Sequence, residues 1–165
     1  PHWKYYVDEE TTLQLISKLA DQDWIYLVVK EHTRGDSLPE KLDDRLVKQD
    51  NTAVEAETSS VSLIKWSDAV INFGSSIGIE ALLQGKHHVN PSYLHSNRTV
   101  FDKTGAGYEP TSNAETVSLL EDLREGSINP IPEERKQELY RTVIYGGQEE
   151  HDVLEAHREL LLSLI

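Results

Sequence analysis

The chain has 165 residues, 38% of them hydrophobic, which fits one domain around a single core. Its formal net charge of −13, with no basic stripe, works against nucleic-acid binding, and the absence of cysteine excludes disulfides and thiolate metal sites. No apolar run approaches the roughly 20 residues that a bilayer-spanning helix needs.

The N-terminus, Pro1-His2-Trp3-Lys4, has neither an initiator Met nor a signal-peptide pattern and reads as the interior of a larger protein. Helical spacing of Leu13, Ile16 and Leu19 predicts a helix over 11–21. The β-branched and aromatic run 24–29 predicts a buried strand. A short strand is expected over 52–55, a short helix or turn over 60–66 and a strong strand over 69–73. A helix over 76–84 is stopped by Gly85, and a weaker strand over 87–90 ends at Pro91. A helix over 113–124 has Asn113 as its expected cap, and helices over 133–144 and 149–162 are separated by Gly146-Gly147. No repeat, low-complexity tract or long linker interrupts this order.

Strands alternating with helices over short connections predict an α/β fold with a parallel sheet covered on both faces, and the continuous apolar strands agree. Ligands of such sheets bind beyond the carboxyl ends of the strands. Two strand-end segments carry groups suited to phosphate. In Gly74-Ser75-Ser76-Ile77-Gly78-Ile79-Glu80, Gly74 permits a sharp turn, and Gly78 permits close approach of a ligand or a neighbouring strand. The serine hydroxyls and the free N–H groups of the helix start offer donors to an anion. Glu80 is placed to accept from ribose hydroxyls or to cap the helix. The bland alternative is an ordinary N-cap at Ser75 or Ser76 with Glu80 as a favourable dipole charge. In Lys30-Glu31-His32-Thr33-Arg34-Gly35, His32 and Arg34 are both able to donate to phosphate, although a histidine at a strand end is commonly structural. The adjacent His87 and His88 point to opposite faces of a strand, so no metal site is expected. The glycine fingerprints of dinucleotide and P-loop sites are absent, as is a serine-hydrolase elbow, since Phe73 stands where its first glycine belongs.

The stretch Leu27-Val28-Val29-Lys30-Glu31-His32, followed by residues 63–86 with Ser67-Asp68, Ser75-Ser76, Gly78, Glu80-Ala81-Leu82 and Gly85-Lys86, resembles the C-terminal domain of capsule and surface polysaccharide biosynthesis glycosyltransferases. The resemblance runs from about Tyr26 to Glu109. It implies the C-terminal half of a GT-B fold: a Rossmann-like three-layer sandwich that binds a nucleotide-sugar donor. His32, Ser75 and Ser76 would contact the donor phosphates and Glu80 the ribose, with Arg34 and Gly74 beside them. Two departures stand out: Thr33 replaces the proline usual after the histidine, and Lys86-His87-His88 replaces Lys-Pro and an apolar strand.

The expectation is therefore a single nucleotide-sugar-binding domain over 1–165, with C-terminal helices from about 133. The N-terminal acceptor domain is absent, catalytic residues are unassigned, and no cofactor is needed beyond the donor as substrate. A glycan or glycolipid acceptor would be engaged through that missing domain. The expected setting is the cytoplasm, including the inner face of the membrane. The rival readings are a non-catalytic Rossmann-like interaction module, or an epimerase or polyol-phosphate transferase on the same architecture.

Overall fold

The computed structural model describes residues 7–30, 49–55, 57–149 and 151–163. Helix α1 (Glu9–Ala20) begins before the expected start because Asp8 caps it, its carboxylate accepting from Thr11 N at 3.0 Å. Strand β1 (Leu27–Lys30) pairs in parallel with β2 (Thr52–Glu55), Leu27 opposite Thr52 and Lys30 opposite Glu55. After helix α2 (Ser60–Trp66), strand β3 (Ala69–Ile71) leads through α3 (Ile77–Leu83) into β4 (His87–Val89). This β–α–β unit is parallel, with Ala69 opposite His87 and Ile71 opposite Val89. A parallel bridge from Val89 to Tyr108 extends it on the far side of β4. A single 3-10 turn (Ser92–Leu94), the short helix α4 (Val100–Thr104) and the longer α5 (Asn113–Glu125), α6 (Glu133–Val143) and α7 (Val153–Ser163) complete the described elements.

The architecture is mixed α/β with small parallel sheets, as alternating strands and helices predict. One expectation changes. Instead of one continuous sheet, β1–β2 and β3–β4 form two two-stranded sheets. Strands of three and four residues offer few ladder positions. What joins the pairs is apolar: Leu15, Leu19 and Leu94 are buried in a cluster against Leu27 of β1 and Ile71 of β3. A second cluster of Leu82, Phe101, Ala106, Ile131, Leu139 and Tyr140 packs α3, α4 and α6 together.

Several boundaries shift for local reasons. The apolar run 24–29 becomes strand only from Leu27, because Ile25 N donates to Gln22 O and continues the turn after α1. Asn113 is not the cap of α5. Ser112 is, accepting from Glu115 N at 3.2 Å, while the Asn113 amide donates to Thr11 O at 3.1 Å and ties α5 to α1. Helix α4 went unforeseen. It is closed by a reciprocal capping box in which the Thr99 hydroxyl accepts from Asp102 N and the Asp102 carboxylate accepts from Thr99 N. Helix α7 starts at Val153 rather than 149 and buries none of its residues.

Candidate functional site at the carboxyl ends of β3 and β4

The rim is built by the residues immediately after each parallel strand. Beyond β3, Asn72 N still donates to Val89 O, and the chain then turns at Gly74, where φ is +71°. A Cβ at Gly74 would lie 2.5 Å from Thr99 Cγ2, so only glycine passes here on both counts. The turn delivers Ser75 and Ser76, both exposed, to the start of α3. Neither serine is a conventional side-chain cap. The Ser75 hydroxyl accepts from Ile77 N at a long 3.4 Å, and Ser75 N donates to Asn72 Oδ1 at 3.3 Å. Among the described residues, the N–H and hydroxyl of Ser76 have no partner. Glu80 lies one turn further along α3 and is half-buried.

Gly78 permits a close approach, and the approaching group comes from the neighbouring strand. A Cβ there would lie 2.6 Å from Asn72 Nδ2, 2.6 Å from His88 Nε2 and 2.8 Å from Phe101 Cζ. His88 is fully buried, and burial drives its pKa down to about 4, against a smaller opposing effect of its bond to Ala106. Its neighbour His87 is only half-buried and faces Tyr108, as the alternation of a strand requires. Among the described residues no group of His, Asp or Glu is arranged to hold a metal ion.

The structure adds residues to this rim that sequence reasoning passed over. Thr99 lies against Gly74, and its partner Asp102 accepts from Asn90 Nδ2 at 3.4 Å, just beyond β4. Burial of Asp102 raises its pKa, but the Thr99 hydroxyl and amide and the nearby Arg98 outweigh this and leave it below the usual carboxylate range. Glu109, next after Tyr108, is shifted the other way, by desolvation and by the charge of Asp102. Arg98, Asp102 and Glu109 thus form a group of mutually interacting charges, tied to the Gly74 turn through Thr99. The Thr-x-x-Asp spacing of Thr99 and Asp102 is a readable capping-box signal. Asn72 and Asn90 are legible only as polar residues just beyond the ends of β3 and β4.

Of the residues expected to bind the donor, Gly74, Ser75, Ser76 and Glu80 fall together on this rim. His32 and Arg34 lie outside the described residues. Among the described residues no helix is long and apolar enough to cross a membrane. Comparison with protein-family models, with curated proteins and with solved structures gives no match.

Proposed function

We propose that this chain is the donor-binding half of a GT-B-type glycosyltransferase of capsule or surface polysaccharide biosynthesis, its strand pairs belonging to a Rossmann-like three-layer sandwich. The observation that carries the reading is the turn after β3. Gly74 at positive φ presents two exposed serines beyond the carboxyl end of a parallel strand, with the Ser76 amide and hydroxyl uncommitted among the described residues. Two donors from one residue suit a phosphate oxygen, and the open side of a parallel α/β unit is where such a ligand fits. Glu80, one turn on, is the acceptor for the ribose hydroxyls, and His32 and Arg34 complete the phosphate contacts from the segment after β1.

Catalysis in this reading is orientation of the donor and stabilisation of the leaving phosphate. The acceptor glycan or glycolipid is engaged by a facing N-terminal domain on the cytoplasmic side of the membrane, and that domain supplies the base or nucleophile. Calorimetric titration of the chain with CMP, CDP, UDP and GDP, and with their sugar conjugates, tests this. One nucleotide class should bind with saturation. The absence of binding by all four would sink the reading.

A second reading, a non-catalytic interaction module, draws on α7. Its Leu154 is 85% exposed, and Leu160, Leu161 and Leu162 are exposed on the same helix. A nucleotide screen without binding, together with self-association that a Leu154→Glu change abolishes, would favour it.

A further inference from the structure

The ring of His88 belongs to no part of the proposed donor site, yet two glycines leave the space of a Cβ to seat it. On one side a Cβ at Gly78 would stand 2.6 Å from its Nε2, and on the other a Cβ at Gly107 would stand 2.9 Å from its Nδ1. Phe101 covers it, with ring centroids 4.2 Å apart. A buried imidazole in place of an apolar side chain calls for a reason, because each ring nitrogen must be satisfied.

The hydrogen bonds supply one, and their directions are set by the two ends of a chain of contacts. At one end, Nδ1 is 3.3 Å from the Ala106 carbonyl, which only accepts, so Nδ1 carries the proton. Nε2 is then an acceptor, 3.1 Å from Asn72 Nδ2. At the other end, Asn72 Oδ1 accepts from the Ser75 backbone N–H at 3.3 Å, which fixes the same orientation of the Asn72 amide independently. The tautomer and the amide orientation agree, and no donor faces a donor. The side chains and backbone around the ring, from Asn72, Gly78, Phe101, Ala106 and Gly107, bear no charge.

We infer that His88 and Asn72 are positioning residues for the Gly74-Ser75-Ser76 turn: the neutral Nδ1–H ring orients Asn72, Asn72 holds the Ser75 amide inward, and the Ser76 amide and hydroxyl are thereby turned outward for a ligand. The geometry stands by itself; the task of the turn rests on the donor-binding reading above. His88 and Asn72 touch no ligand and act through the backbone.

The test uses ¹⁵N NMR on the wild type and on His88→Gln, His88→Leu and Asn72→Asp, with UDP, CDP, GDP and CMP as probes. In the wild type, the ring nitrogens should show a protonated Nδ1 and an unprotonated Nε2. Gln at 88 offers an acceptor to Asn72 and a donor to Ala106, so Ser75 amide exchange and nucleotide affinity should stay within about threefold of wild type, whereas Leu at 88 should speed that exchange and weaken binding by about tenfold. Asn72→Asp faces Nε2 with a carboxylate and should draw a proton onto the ring, raising its titration midpoint. An Nε2–H ring in the wild type, or a folded Leu variant with unchanged Ser75 exchange, would overturn the inference. Should the Leu variant not fold, the ring tautomer and the Asn72→Asp titration decide. If no nucleotide binds the wild type, the donor reading fails, while the tautomer and the exchange rates still judge the positioning role.

Discussion

His88 of β4 rests directly on Gly78 of α3, with only hydrogen between them: a Cβ on the glycine would come within 2.6 Å of the imidazole Nε2. Helix α3 therefore lies closer to β4 than any residue with a side chain would allow. Gly78→Ala should destabilise the fold. Alanine is favoured over glycine inside a helix by about 1 kcal/mol. Against this stand two bonded polar groups and the Phe101 ring, all of which must shift in a packed interior, for about 1–3 kcal/mol. The steric term wins, and a lower urea midpoint with an unchanged slope is the expected result.

Asn51 makes a comparable tie between α1 and β1. Its side-chain amide lies 3.1, 3.0 and 2.9 Å from the carbonyls of Ala20, Gln22 and Ile25, and its own backbone carbonyl accepts from Leu27 N at 2.8 Å. Asn51→Ala should cost about 1–3 kcal/mol by leaving those carbonyls short of a donor. Asn51→Asp should be worse, since a carboxylate would face three carbonyl oxygens. Urea unfolding followed by circular dichroism separates the three proteins.

The order of elements was largely legible, because periodicity reports which faces are apolar. Leu13, Ile16 and Leu19 sit on a helix as their spacing says, and 52–55 and 60–66 form a strand and a helix within the expected bounds. Hydrogen-bond partners are not written in periodicity. Nothing in the run 24–29 announces that Ile25 still belongs to a turn, and Asn113 looks as good a cap as Ser112 until Thr11 is seen to take its amide. The place of the serine turn at the rim was legible because Gly74-Ser75-Ser76 stands between an apolar strand and a helical run, where a parallel strand hands over to its helix. Asn72, His88 and Thr99, which shape that turn, were not, since their roles depend on a contact across 16 residues for the Asn72–His88 pair and on the close approach of Thr99 to Gly74.

The buried ring also predicts the pH dependence of stability. Its pKa falls from an ordinary 6.5 to about 4 in the folded protein, chiefly through burial. Above 6.5 the ring is neutral in both states. As the pH drops below that value, the unfolded chain binds a proton that the folded chain refuses until about 4, so stability declines across this window. The full loss is about 3 kcal/mol. Asp102, with its lowered pKa, adds a loss only as acid protonates it below the ordinary carboxylate range, and Glu109, with its raised one, offsets part of the decline. Urea midpoints from pH 7 to pH 4 on wild type and His88→Gln isolate the ring: the variant should show the shallower slope, and parallel slopes would refute the assignment.

The two serines should separate in their effects on a nucleotide. Ser75 is partly spent on the protein, its amide given to Asn72 and its hydroxyl lying 3.4 Å from Ile77 N. Ser76 gives neither its amide nor its hydroxyl to a partner among the described residues, and it is exposed. A hydroxyl donated to a phosphate oxygen is a bond to a charged group, and its removal should weaken binding by about 1.5–3 kcal/mol. Ser76→Ala should therefore reduce nucleotide affinity by roughly tenfold or more, with a urea midpoint close to wild type because the folded protein loses no contact. Ser75→Ala should have the smaller effect on affinity, since the Ser75 amide that Asn72 holds belongs to the backbone and survives the change. Calorimetric titration of both variants with the nucleotide that binds wild type best makes the comparison. Equal affinities for wild type and Ser76→Ala, in a protein with native circular dichroism, would remove Ser76 from the site and with it the main support for phosphate binding at this turn.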